Sequence, residues 1–205
     1  KKLWIPGVIG YSGLIVTHIL TCGMAALFTI LVCLVCIRKV FRKETFAVLA
    51  KIVIYTTLAC LWFLVPFANY MFTDTFRVQS ETFSIWHTIV QSAEPLQLFD
   101  IFARAGGATA VLADGIGSDM SFTVGGALLL GCLILPVLLL MHFAPDKAEK
   151  SALFCLAFGG LSMWMATAYF PWYPLSRILP PLGAYVQTMQ FNWRFQAITG
   201  VCLAA

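Results

Sequence analysis

The sequence predicts an all-α fold: a polytopic transmembrane helical bundle of about six spans, the last of them truncated, with an amphipathic juxtamembrane helix on its outer side. Three observations carry that expectation. Of the 205 residues, 60% are hydrophobic and 11% charged, against about 25% charged in a water-soluble domain. The apolar residues gather in runs that approach the ~20 residues needed to cross a bilayer. The net charge of +4 is collected in short segments between those runs, so it reads as topology information rather than as a face for nucleic acid.

Taken in order, the first apolar run, 3–17, meets the second, 23–37, through the polar joint Thr17, His18, Ile19, Leu20, Thr21 and Cys22. A hairpin or one long kinked helix would satisfy this pattern. The hairpin is preferred because basic residues then flank both outer ends on one side. Arg38, Lys39, Arg42 and Lys43 follow, with Lys51 further on, and form the strongest cytoplasmic signal in the chain. A third span, 46–69, closes on Leu61, Trp62, Phe63, Leu64, Val65 and Pro66, where aromatic residues mark the opposite interface.

The stretch 70–122 is expected outside. It carries Asp74, Glu81, Glu94, Asp100, Asp114 and Asp119 against Arg77 and Arg104. Within it, 84–105 is amphipathic at helical spacing, with Ile85, Trp86, Ile89, Val90, Leu96, Leu98, Phe99, Ile101 and Phe102 available to lie on a membrane surface. A break is expected near Pro95, then a Gly-rich loop. A fourth span, 124–143, carries Pro136, which should kink it. After a short inner turn, 151–170 crosses outward, a Pro-rich outer segment covers 170–194, and a last span enters near Phe195. This layout places nine basic residues inside and four outside, in keeping with the positive-inside rule. One transmembrane domain over 1–205 is the expected organisation. Because the chain opens on Lys1 without Met and stops inside an apolar run, a piece of a larger protein is expected.

Candidate chemistry is concentrated near the C-terminus, where Gln190, Phe191, Asn192, Trp193, Arg194 and Phe195 place a fixed cation, an indole and two amides at the mouth of an apolar run. Arg194 has two readings: an interfacial anchor that snorkels beside Trp193, or a phosphate clamp whose guanidinium grips an anionic headgroup through two hydrogen bonds. Gln190, four residues earlier, shares a face with Arg194 if the stretch is helical. His18 is either a base or phosphate ligand or a polar residue that satisfies helix-end carbonyls.

The remaining polar groups read as structural. His87 and His142 are in that class. The Asp114 to Asp119 run is a solvated turn, since it lacks the alternating ligands and terminal Glu of a calcium loop. The seven cysteines all fall in apolar runs, which implies no disulfide framework. Cys33 and Cys36 have redox or zinc spacing but no second pair or nearby His. No Ser/His/Asp arrangement, zinc cluster or dinucleotide fingerprint is present.

Met189, Gln190, Phe191, Asn192, Trp193, Arg194 and Phe195, preceded by Leu179, Pro180, Pro181 and Leu182, resemble the Gln-Phe-Pro-Trp-Arg-Phe signature of bacterial multi-spanning proteins of the YfhO-like and 6-pyruvoyl-tetrahydropterin synthase-related membrane groups. The Thr17, His18, Ile19, Leu20 joint resembles their Ser/Thr-His-Leu step. Residues Leu61 to Pro66 resemble their Phe-Trp-Leu-Pro helix exit. Asn192 stands where Pro is usual, which frees a backbone N–H. The pterin-related label has no matching pterin site in this chain.

The resemblance implies a glycosyltransferase-like fold of the C type that moves a sugar from a polyprenyl phosphate to an envelope polymer or lipid on the outer face of the bacterial cell membrane. It implies that Arg194, aided by Arg177, binds the donor phosphate, that Gln190 and Trp193 orient the lipid–sugar junction, and that His18 positions the phosphate or an acceptor hydroxyl. The catalytic acid of that fold, in its first outer loop, has no counterpart here and is expected upstream of Lys1. No cofactor is required by these residues, although a divalent metal is compatible with the chemistry. The competing reading is a non-enzymatic transporter or assembly subunit for lipid-linked polymers, holding the same lipid phosphate without chemistry.

Overall fold

The structure is a computed structural model that describes residues 3–73, 85, 89, 92–99, 122–141, 146–189 and 192–204. The regular elements are α1 (Trp4–Thr17), α2 (Ile19–Val35), α3 (Ile37–Val40), α4 (Lys43–Thr73), α5 (Pro95–Leu98), α6 (Gly126–Leu140), α7 (Asp146–Met165), α8 (Trp172–Ile178), α9 (Pro180–Met189), a 3-10 turn (Asn192–Phe195) and α10 (Gln196–Ala204). Among the described residues the extended pairing is limited to one parallel bridge, Ala93 with Thr167. The all-α class is therefore what forms. The chain groups into two compact units, Lys1–Glu81 and Thr82–Ala205.

In the first unit, the joint between α1 and α2 is a complete break, because His18 adopts an extended conformation (φ −158°, ψ 91°). Its Nδ1 accepts the Thr21 N–H at 3.2 Å, capping one of the amides that a helix start leaves without an intrahelical partner. The two helices then fold back on each other: the Tyr11 hydroxyl donates to the Ala25 carbonyl at 3.4 Å and is hydrogen-bonded to the Thr29 hydroxyl. Of the two arrangements open to the sequence, the hairpin is formed.

Helix α4 runs for 31 residues, or about 46 Å at 1.5 Å per residue, which exceeds the ~30 Å hydrocarbon core. It extends the expected span, 46–69, at both ends. Trp4 stacks on Tyr55 with ring centroids 4.9 Å apart, and the Cys60 thiol points to the Ser12 carbonyl at 3.9 Å, so α1 covers one stripe of α4. Most of the rest is bare, since only 11% of its most apolar window is buried; Ile54, Leu58, Leu61 and Val65 are all exposed. A core helix of a water-soluble domain would be covered.

Helix α4 is the one helix among the described residues that is both long and apolar enough to cross a membrane. Trp4–Thr17, Ile19–Val35 and Gly126–Leu138 are apolar but shorter. Helix α7 has 20 residues, yet it opens with Asp146, Lys147, Glu149 and Lys150, which dilute its apolar character. It starts and ends five residues before the expected span, 151–170, because the charged turn joins the helix instead of preceding it.

In the second unit, α7 packs along α10, and α6 touches both. Gly125 precedes α6 with φ +97°, a conformation that L side chains avoid; its carbonyl accepts the first helical bond, from Leu129 at 3.1 Å. Pro136 is accommodated inside α6.

The Pro-rich segment, expected as a surface segment that feeds the last span, is helical: α8 holds Pro174 in its first turn and α9 opens on Pro180 and Pro181. Proline is tolerated there because first-turn amides have no helical acceptor. Leu179, which precedes Pro180, leaves the helical region (φ −125°, ψ 79°) as a residue before proline must, and so separates the two helices.

The apolar face of 84–105 is only partly free to lie on a membrane. Leu98 and Ile85 are buried within the protein, whereas Leu96 is 84% exposed and Phe99 also faces outward. Pro95 begins α5 rather than merely breaking a helix, with the Glu94 N–H donating to Gln97 Oε1 at 3.1 Å. Trp86, Val90, Ile101, Phe102, His87, His142 and the Asp114 to Asp119 run lie outside the described residues.

Candidate functional site

The 3-10 turn Asn192–Phe195 joins the α9 region to α10, and it is held from three sides. From below, Phe195 is 0% exposed and stacks on Trp172, with centroids 5.5 Å apart and planes 19° apart. Trp172 is itself buried and donates its indole N–H to the Met165 carbonyl at 3.1 Å, occupying one of the acceptors that the end of α7 leaves open. From the α7 side, the Ser162 hydroxyl donates to the Phe195 carbonyl at 2.6 Å. Thr199, one turn into α10, places its hydroxyl 3.4 Å from the carbonyls of Phe195 and Gly159.

From the third side comes the segment 92–98. Its Ala93 N–H donates to the Ala166 carbonyl at 2.9 Å, and its Leu98 carbonyl accepts from the Val124 N–H at 3.1 Å. Asn192, 0% exposed, donates from Nδ2 to the Ser92 hydroxyl at 2.8 Å, a bond spanning a hundred residues of sequence. Gln196 donates to the Phe122 carbonyl at 2.9 Å. Ala93, Leu98 and Phe122 form an apolar cluster on which Trp193 rests, its ring 5.4 Å from that of Phe122.

With Asn192, Phe195 and Gln196 anchored, Trp193 and Arg194 are left at the rim, both half-buried. The Arg194 guanidinium carbon lies 5.9 Å from the centre of the Trp193 ring, within cation–π range. Burial lowers the Arg194 pKa from its ordinary value, because removing water disfavours the charged form. An arginine nonetheless remains cationic at any physiological pH. A cation partly stripped of water and oriented by its neighbours is well suited to hold an anion, since its field is less screened than that of a free surface charge.

The other candidates fall elsewhere. Arg177, on α8, is exposed and donates to the Tyr173 hydroxyl at 3.0 Å while lying 5.4 Å from the centre of that ring. His18 belongs to the first unit, where it caps α2 through a donor amide rather than through helix-end carbonyls. Gln190 lies outside the described residues, and the turn that carries Arg194, Asn192–Phe195, is 3-10. Among the described residues no group of three His, Cys, Asp or Glu side chains is placed to hold a metal ion.

Sequence reading treated Asn192 as a departure from a motif and passed over Ser92, Ser162 and Thr199 altogether. The available signal was a polar side chain in or beside an apolar run, which in such a chain needs a partner. Compared with known proteins, the chain matches no family model, no curated protein and no solved structure.

Proposed function

We propose that this chain belongs to a multi-pass protein of the bacterial cell membrane that binds the phosphate of a polyprenyl-phosphate-linked sugar at Arg194 and transfers the sugar on the outer face in the manner of a C-type glycosyltransferase. The observation that carries the reading is the half-buried Arg194 guanidinium on a turn whose neighbours are locked by Ser92, Ser162 and Trp172. As the sugar leaves, charge develops on the donor phosphate, and a preoriented cation stabilises it. Trp193 provides an apolar plane for the first part of the lipid, and Arg177 offers a second cation on the same unit.

The expected result is that Arg194→Ala in the full-length protein lowers sugar transfer by about a hundredfold or more while the protein still inserts in the membrane. Undiminished transfer by that variant would leave Arg194 as an interfacial anchor and remove the proposal.

The non-enzymatic reading has one observation in its favour. The groups that hold the turn, Ser92, Ser162, Asn192, Gln196 and Thr199, are hydroxyls and amides, which neither accept nor release protons readily near neutral pH. Retention of the lipid phosphate without any transfer by the intact protein would select that reading.

A further inference from the structure

The connection between α2 and α4 carries a surface that the proposed function does not use. Arg38 and Lys39 sit on α3, and Arg42 and Lys43 stand at the head of α4. The backbone between them is continuously bonded: Phe41 N–H to the Ile37 carbonyl at 3.3 Å, Arg42 N–H to the Lys39 carbonyl at 3.2 Å, and Phe46 N–H to the Arg42 carbonyl at 2.9 Å. The four cations are therefore displayed on a formed turn rather than on a loose tail. All four side chains are exposed. Glu44 is exposed beside them, yet among the described residues no carboxylate is paired with any of the four.

Two apolar side chains stand among these charges without cover. Phe41 is 75% exposed, and Ile37 is also exposed. Alternating cations and bare apolar groups at the end of a membrane-length helix fit an interface that is anionic at headgroup depth and oily just below it. A purely aqueous surface would gain nothing from Phe41.

We propose that this α2–α4 connection is a binding surface for the anionic headgroups of phospholipids in the membrane that α4 crosses, with Phe41 and Ile37 entering the acyl boundary. The proposal rests on α4 being membrane-embedded but not on the sugar-transfer reading. It also differs from a topology signal, which acts while the chain is being inserted and requires no lipid afterwards.

The test uses the full chain reconstituted into phosphatidylcholine bilayers containing spin-labelled phosphatidylglycerol or spin-labelled phosphatidylcholine, and reads the fraction of each label immobilised by the protein. The expected result is a roughly fivefold preference for phosphatidylglycerol that declines as salt rises from about 0.05 to about 0.5 M. The preference should vanish in the combined Arg38→Gln, Lys39→Gln, Arg42→Gln and Lys43→Gln variant, and should weaken in Phe41→Ser. The label is present in both leaflets, so the orientation of the variant does not affect the reading.

Equal immobilisation of the two lipids by the natural chain, an unchanged preference in the fourfold variant, or abolition of the preference by millimolar inorganic phosphate would overturn the proposal. If the fourfold variant does not reconstitute, the salt series on the natural chain decides alone, and a preference indifferent to salt is the overturning result. Release of the chain from the bilayer by alkaline carbonate would overturn the membrane reading as well, which separates the two failures.

Discussion

Asn192 and Arg194 are two positions apart and do opposite work. Asn192 is fully buried and ties the turn to Ser92 across the unit, whereas Arg194 is held at the rim over Trp193. Replacing Asn192 by Leu removes this buried hydrogen bond to Ser92, a cost of about 0.5–1.5 kcal/mol. Thermal unfolding of the variant in detergent should register that loss, with a matching fall in lipid-phosphate binding because the turn is no longer pinned.

Arg194→Lys separates charge from geometry. Burial lowers the pKa of a cation at this position, and a lysine starts near 10.4, well below an arginine. Phosphate binding by the natural chain should therefore hold constant between about pH 7 and pH 10, while binding by the lysine variant declines toward the upper end as the ammonium loses its proton. Parallel pH profiles for the two would show that the site is open to water. At this scale only part of the site was legible in the sequence. The cation beside an indole at the mouth of an apolar run was visible at once, but its anchoring partner Ser92 lies a hundred residues away and nothing local marks it.

At the scale of elements, two glycines set the geometry around the site. Gly183, on α9, approaches Ser176 of α8 so closely that a Cβ would lie 2.7 Å from the Ser176 Cβ and 3.1 Å from its Cα. The backbone on the other side cannot yield as a flexible side-chain tip would, so Gly183→Ala should destabilise the α8–α9 pair by about 1–3 kcal/mol, read as a lower unfolding temperature. Gly125→Ala acts differently: space is open around it, and the cost of about 1–2 kcal/mol comes from its positive φ alone. Gly125→Asn should recover part of that loss, because Asn tolerates the left-handed region.

The prolines of the segment that feeds the last span mark helix beginnings. The amphipathic stretch likewise follows a tertiary demand: Leu98 is taken up by Phe122 and Trp193, whereas its neighbour Leu96 is left exposed. Helical spacing in the sequence indicates that a face is apolar but not which apolar residues find protein and which find another surface.

For the molecule as a whole, the decisive quantity is the bare apolar surface of α4. Leu58 is exposed at the middle of that helix, so Leu58→Lys would be nearly neutral, within about 0.5 kcal/mol, if the surface met water. In a bilayer the same change should oppose insertion by about 3 kcal/mol near the helix centre. A mapping of which side of the membrane carries tags placed before and after α4 distinguishes the two, because only the second outcome shifts a population of chains to the uninserted state.

The helical class and the apolar identity of α4 follow from composition and from runs of local hydrophobicity, which need no knowledge of distant contacts; the hairpin at His18 followed from a polar joint between two such runs. Tertiary structure alone decided that Asn192 would be buried and Arg194 left at the rim. Their fates depend on Ser92, Phe122, Ser162 and Trp172, which come from four other parts of the chain. Burial of a polar group is governed by whichever partners folding brings within hydrogen-bond reach, and no local pattern encodes that meeting.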